Sequence, residues 1–319
     1  MISLANNAAR AGLFFITTAI IFWGMLPIIL KLCAVFIDPV TLTWFRYAVA
    51  FLISLLLQSL AGKLAEFKPL TKRDWIRLSF AAIFSIGNYL SFMYCLKYLS
   101  PGQAQLNFQT APFLLAFGGV LFFKEKLKPI QMACFATLAL GMLLFFHPYL
   151  DFSQQQGADM WWGILIVQFS VISWTCYSLI QKSVMTQLSA PNFLLFVYGF
   201  AALAMLPFSQ FGQFEPMNTE QWLMALFSAI GTLIAFGCFA QSMKYWPASQ
   251  VGPMIALTPV CSFGFTYLVS EMGWWTDVIK SDQLDLQGIT GIVIVVLSVG
   301  GVQLLPGWMA KRAKKQSTG

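Results

Sequence analysis

Arg46 sits about two turns inside an apolar stretch that runs from Val40 to Ala61. A guanidinium at the centre of such a stretch costs on the order of 2.5–3.5 kcal/mol on insertion scales, so it needs a partner. Two readings meet that need: a cationic anchor for a substrate carboxylate or phosphate, or an arginine that snorkels outward or bonds carbonyls at a helix end. Gln105 and Gln109 lie one helical turn apart and share a face with Pro112, whereas Asn107 is rotated by about 200°. Amides in hydrocarbon need partners, so they either wall a polar cavity or bond from helix to helix. Asn88, Tyr94 and Gln241 allow the same two readings.

Trp23 and Trp174 fall near the middle of their stretches, away from the interfacial depth where tryptophan is usual. With Tyr177 they offer aromatic faces to an aromatic or cationic ligand; in a chain with 31 phenylalanines and 11 tryptophans, packing against lipid and core is the competing use. Pro112 and Pro259 each remove a backbone hydrogen bond near mid-stretch, which suits either paired gating hinges or static kinks.

Covalent chemistry has no visible constellation. The one histidine, His147, closes a stretch, and the six cysteines form no CxxC pair. Neither a metal site nor a cofactor is expected, nor an enzyme, because paired carboxylates, Ser with His and clustered metal ligands are all missing. Asp38, Glu125 and Glu271 are all terminal to their stretches, and no Asp or Glu is central. Proton-coupled pumps commonly use a membrane-buried carboxylate as relay. The pattern therefore favours facilitation or exchange, or coupling through an end group such as Glu271.

The elements that must position these residues follow from composition. The 319 residues are 58% hydrophobic and 10% charged, with mean hydropathy +0.72, against roughly 25% charged in a soluble domain. Ten apolar segments emerge: Gly12–Phe36, Val40–Ala61, Trp75–Tyr98, Gly102–Phe123, Ile130–His147, Trp161–Met185, Asn192–Phe211, Gln221–Tyr245, Ala248–Ser270 and Gln287–Trp308. They lack the period-two alternation of a barrel, so the expected class is an all-α integral membrane protein with ten transmembrane helices. Asp38-Pro39 and Ser100-Pro101 place a capping oxygen before a proline, and Thr71 with Asp74 resembles a capping box. The polar start followed by a long apolar run reads as a retained first helix.

Charge sets the orientation. With the N-terminus inside, fifteen lysines and arginines fall on the inner side, the tail Lys311, Arg312, Lys314 and Lys315 among them, and only Lys31, Lys97 and Lys280 outside. The positive-inside rule then puts both termini in the cytoplasm. The formal charge of +7 is thus a topology signal, and a nucleic-acid partner has little support. The basic tail is a topology anchor, with lipid binding as a secondary use.

The second half echoes the first. Trp23 matches Trp174, Lys31 matches Lys182 and Tyr47 matches Tyr198 at one offset; Trp75 matches Trp222, Phe92 matches Phe239 and Pro112 matches Pro259 at another; Glu125 matches Glu271. Residues 1–150 and 151–319 are therefore expected to be two five-helix repeats. Five is odd, so the second is expected to be inverted relative to the first, which suits a transporter that alternates between two exchanged conformations.

These motifs resemble the drug/metabolite transporter superfamily, and within it the ten-helix EamA-type members, over nearly the whole chain. The resemblance rests on Phe22-Trp23-Gly24-Met25-Leu26-Pro27 followed by Lys31, on Asp38-Pro39 leading to Arg46, on Pro112, and on Phe123-Lys124-Glu125-Lys126-Leu127, echoed by Trp174, Lys182, Pro259 and Glu271. The fifth span departs from the pattern, with Met132 and Ala133 where an early glycine is usual, while the tenth keeps Gly288 and Gly291. The resemblance implies a pathway between the halves lined by spans one to four and six to nine, with the fifth and tenth peripheral. It also implies export of amino acids, other metabolites or drugs from a bacterial inner membrane. Beside a small-molecule substrate, membrane lipids are expected partners. A lipid or lipid-precursor flippase of the same fold is the nearest rival. Gly288 and Gly291 suit packing within one subunit or between two, which leaves a homodimer open.

Overall fold

The computed structural model describes residues 2–95, 97–99, 101–150, 158–279 and 285–316, and among them every regular element is helical. In chain order they are α1 (Ile2–Cys33), α2 (Pro39–Leu60), α3 (Lys72–Cys95), α4 (Pro101–Phe108), α5 (Ala111–Phe123) and α6 (Pro129–Phe145). After these come α7 (Ala158–Val184), α8 (Ala190–Met205), α9 (Thr219–Tyr245), α10 (Ala248–Ile255), α11 (Thr258–Glu271) and α12 (Leu286–Gln316). Among the described residues nine stretches are long and apolar enough to cross a membrane, counting α4 with α5 and α10 with α11 as one each, and the 17-residue α6 adds a shorter apolar pass of about 25 Å. The architecture is the expected ten-helix membrane fold.

Local chemistry sets the ends. The Asp38 carboxylate accepts from the amides of Val40 at 2.9 Å and Thr41 at 3.1 Å, while Pro39 opens α2 without wasting a donor. Thr71 and Asp74 exchange the two bonds of a capping box. Asn218 and Gln221 do the same at the start of α9. Pro207 helps end α8 at Met205, earlier than the apolar run alone suggests. Ser100, Lys280 and the side chains of the basic tail lie outside the described residues.

The two central prolines tighten their passes locally. Phe108 and Ile255 are the residues four before Pro112 and Pro259, so their carbonyls lose the i+4 donor that a helix supplies. Helices α4 and α10 stop at these two residues. Tight turns follow, with Gln109 and Thr110 amides bonded three residues back in one pass and Ala256 and Leu257 amides in the other. Each proline then sits in the first turn of the next helix. At both prolines the backbone stays right-handed and tightens for one turn, at matching positions.

The packing follows one rule in both halves. The first pass of each half packs on the third pass of the other: α1 on α9, and α7 on α3. The second passes, α2 and α8, face each other, as do the fifth, α6 and α12. That last contact is close: a Cβ on Gly291 would overlap the Phe145 amide, and one on Gly141 would lie 2.9 Å from the Val295 nitrogen. Gly291 is thus used within the chain.

Candidate functional site

Between the halves lies a cavity that leaves ≈ 220 Å³ for the centres of water-sized molecules. It reaches the surface at the junction of α1 and α2, where the lining residues Ala34 and Pro39 are exposed. From there it descends past Leu30 and Met93 to Trp23, Arg46 and Pro112. Below it, α5 and α10 close together over Leu115, Ala116, Ala248 and Val251, all fully buried. A side chain at Gly252 would place its Cβ 2.5 Å from the Pro112 carbonyl oxygen, so the two backbones touch there. No comparable contact joins α4 to α11 at the open end among the described residues.

Arg46 is 2% exposed and lines the cavity floor. Its Nε donates to Thr232 Oγ1 at 2.8 Å, and its guanidinium lies 5.4 Å from the centre of the Tyr89 ring. Nη2 is buried without a hydrogen-bond partner, and no carboxylate lies within ion-pair distance of it among the described residues. The arginine therefore bonds neither outward nor to a helix end.

Aromatic rings cluster at the same cavity. Trp23 meets Trp174 edge-on at 6.3 Å and packs against Phe236 at 5.5 Å and Phe239 at 5.3 Å, while Phe108 adds an edge to Trp174 at 6.2 Å. Each such contact adds about 0.5–1.5 kcal/mol beyond area burial, which helps hold the rings in place without a ligand. Asn88 also lines the cavity, but its Nδ2 is committed to the Ser170 carbonyl and hydroxyl at 3.1 and 2.9 Å. Gln105 and Gln109 share the wall, with Gln109 Nε2 donating to the Gln105 carbonyl at 3.2 Å. Asn107 faces away, as the helical offset implies, and its carbonyl accepts from Gln168 on α7.

Three of the residues singled out in the sequence lie elsewhere. Tyr177 is buried below the lining, edge-on to Phe236 at 6.2 Å. Gln241 is half-buried toward the Tyr245 end of α9 and off the lining. Tyr94 is exposed in a separate groove between the start of α2, α3 and α7, where the Lys97 ammonium sits 4.7 Å from its ring centre. Tyr89 and Thr232, the partners of Arg46, were not singled out from sequence. Tyr89 follows Asn88 and carries no signal of its own; Thr232 is 186 residues from Arg46.

At the closed end, the Glu125 carboxylate gathers three donors. Lys182 Nζ approaches Oε1 at 2.8 Å, the Ala248 amide donates to Oε1 and the Ser249 amide to Oε2, both at 2.9 Å. Lys182 also donates to the Trp246 carbonyl at 3.2 Å. Burial raises the Glu125 pKa, but the Lys182 and Ser249 hydrogen bonds outweigh it and hold the carboxyl below its ordinary value. Separately, Glu66 accepts from the Ser189 amide at 3.0 Å and from Asn192 Nδ2 at 2.9 Å, tying the α2–α3 connection to the start of α8.

The family model described as the EamA-like transporter family matches residues 10–147 and 161–304. The chain is 28% identical to a protein of Escherichia coli (strain K12) named as the uncharacterized inner membrane transporter YhbE, over 91% of this chain and 90% of that one. It is also 28% identical to an uncharacterized transporter of Haemophilus influenzae, over 89% and 93% of the two chains. A solved crystal structure superposes with a TM-score of 0.72 at 17% identity, covering 94% of this chain and 97% of the other, which shows a shared fold.

Proposed function

The chain belongs to the EamA-like transporter family, and on that premise we propose that it is an inner-membrane secondary transporter that moves amino acids, related metabolites or drugs by alternating access, in the direction of export. One observation carries the reading: the central cavity reaches the surface beside Pro39 and ends at a floor sealed by α5, α10 and the Glu125–Lys182 pair. A cavity open to one side and latched on the other is one of the two end states that exchange in alternating access. The relatives named as inner membrane transporters support the location. The excess of basic residues at the Glu125 end makes that end cytoplasmic under the positive-inside rule, with both termini there.

On this reading the two halves are inverted repeats, and the state described here faces outward. Spans five and ten, α6 and α12, hold the periphery while the remaining passes exchange contacts. Trp23, Arg46, Asn88, Gln105, Gln109 and Trp174 contact substrate from the open side, and the breaks at Pro112 and Pro259 serve as joints. Tyr177 and Gln241 belong to the half-cycle in which the Glu125 end opens.

The test is flux into liposomes that hold the purified full chain, screened over pooled radiolabelled amino acids with and without a proton gradient, beside Arg46→Ala. Flux above empty liposomes that falls at least tenfold in the variant supports the reading. Equal flux in the variant removes Arg46 from the site.

A second reading has one observation behind it. The lateral groove that holds Tyr94 shares Pro39 and Met93 with the central cavity and is walled by Trp162, Leu165 and Phe169. A side entrance of this kind suits a lipid or lipid-precursor flippase. Translocation of fluorescent phospholipid across liposomes by the chain, with no amino-acid flux, would favour it.

A further inference from the structure

We propose that the cavity selects organic monoanions, a carboxylate on an apolar or aromatic body with a neutral hydrogen-bond donor beside it, over zwitterions, cations and dianions. This rests on the transporter reading and narrows its substrate: N-blocked amino acids and other organic monoanions are favoured over free, zwitterionic amino acids.

Three observations carry it. First, Arg46 is buried to 2% exposure and its Nη2 has no partner, while Nε is held by Thr232 and the guanidinium is placed by Tyr89. A fixed guanidinium with a free donor is built to receive an oxyanion, and its fork matches carboxylate geometry. Second, Arg46 is the one charged side chain among the lining residues described. A ligand charge of minus one leaves the occupied cavity neutral. A zwitterion brings an ammonium that finds no carboxylate, and a phosphate dianion leaves one charge unmatched in apolar surroundings.

Third, the remaining polar groups are neutral and partly spent. Asn88 Nδ2 is committed to Ser170, and Gln109 Nε2 to the Gln105 carbonyl. Gln109 keeps its second N–H, so what these amides present to a ligand are carbonyl acceptors and a few N–H donors, which suit a neutral amide or hydroxyl and neutralise no charge. The rest of the wall is Trp23, Phe92, Phe108, Trp174 and Phe236, a surface for rings and alkyl chains.

A matched series tests the charge alone: N-acetylphenylalanine (anion), phenylalanine (zwitterion), phenylalaninamide (cation) and N-acetylphenylalaninamide (neutral). Binding to the detergent-solubilised full chain is read by calorimetry and by the shift in Tm. N-acetylphenylalanine is expected to bind at least tenfold tighter than each of the others. Arg46→Gln is expected to abolish that preference, and Arg46→Lys, which keeps the charge and loses the fork, to retain it at weaker affinity. Phenylalanine or phenylalaninamide binding as well as the anion overturns the proposal, as does a series in which nothing binds, or an anion preference that survives Arg46→Gln. Liposome flux separates the two claims: anion binding without flux sinks the transporter reading and leaves the selectivity standing. Flux of phenylalaninamide undiminished by Arg46→Gln does the reverse.

Discussion

Glu125 and Lys182 meet at 2.8 Å across the end of the bundle where α5 touches α10, and the same carboxylate also binds the first two amides of α10. One side chain thereby joins three elements at that end. A hydrogen bond to a charged group contributes about 1.5–3 kcal/mol.

Glu125→Gln should therefore shift the population toward a state open at that end, by roughly 10- to 100-fold. The measurement is the rate at which a membrane-impermeant thiol reagent reaches Gln181→Cys, on a background with the six native cysteines replaced. Gln181 is fully buried here, and it corresponds in the repeat to Leu30, which lines the open cavity. An unchanged labelling rate would remove Glu125 from the gate.

Acid should release the same latch, with a defined sign. The carboxyl is held below its ordinary value of 4.5 by Lys182 and Ser249 despite burial. A depressed acid contributes fully above its free value and loses that contribution as pH falls through the lowered one. Labelling of Gln181→Cys, normalised at each pH to the rate of a free thiol, is expected to be flat from about pH 6 to 8 and to rise only below about 4.5. A transition near neutrality would mean that Glu125 takes up protons during turnover.

Gly252→Val tests the backbone contact under the cavity. Its Cβ would meet the Pro112 carbonyl oxygen at 2.5 Å, and neither backbone can yield cheaply. Overpacking of this kind costs about 1–3 kcal/mol. The variant should speed labelling at Gln181→Cys while an intact far-ultraviolet spectrum shows that the helices persist; labelling at the wild-type rate would show that the contact is dispensable.

Lys31 and Glu271 are the counterparts of Lys182 and Glu125, and in this state both are exposed and without an ion pair among those described. If they latch the opposite end in the alternate state, Lys31→Glu and Glu271→Lys should each lower flux several-fold, and the double swap should restore it. A double-mutant cycle on transport rate gives the coupling, and additive losses would show that the two never meet.

The passes were legible in the sequence because a span is a local property: length, apolar content and a capping residue decide it. The Asp38 cap and the Thr71–Asp74 box needed only neighbours. The prolines were visible too, but not that the chain would tighten into i+3 turns beside them, which depends on what the freed carbonyls at Phe108 and Ile255 can bond. Arg46 was legible as a residue in need of a partner, while Thr232, 186 residues away, was not. Tyr94 and Asn88 sit on one helix with apolar residues all round, and only packing against α7 decides which of them turns inward.

The paired breaks also bear on water. At the depth where a bilayer is driest, Pro112 and Pro259 each deny a carbonyl its usual donor, and the residues concerned, Phe108 and Ile255, both line the cavity. An oxygen in that position is solvated by whatever fills the space. Whatever enters the cavity therefore meets both breaks at once, one from each half of the chain.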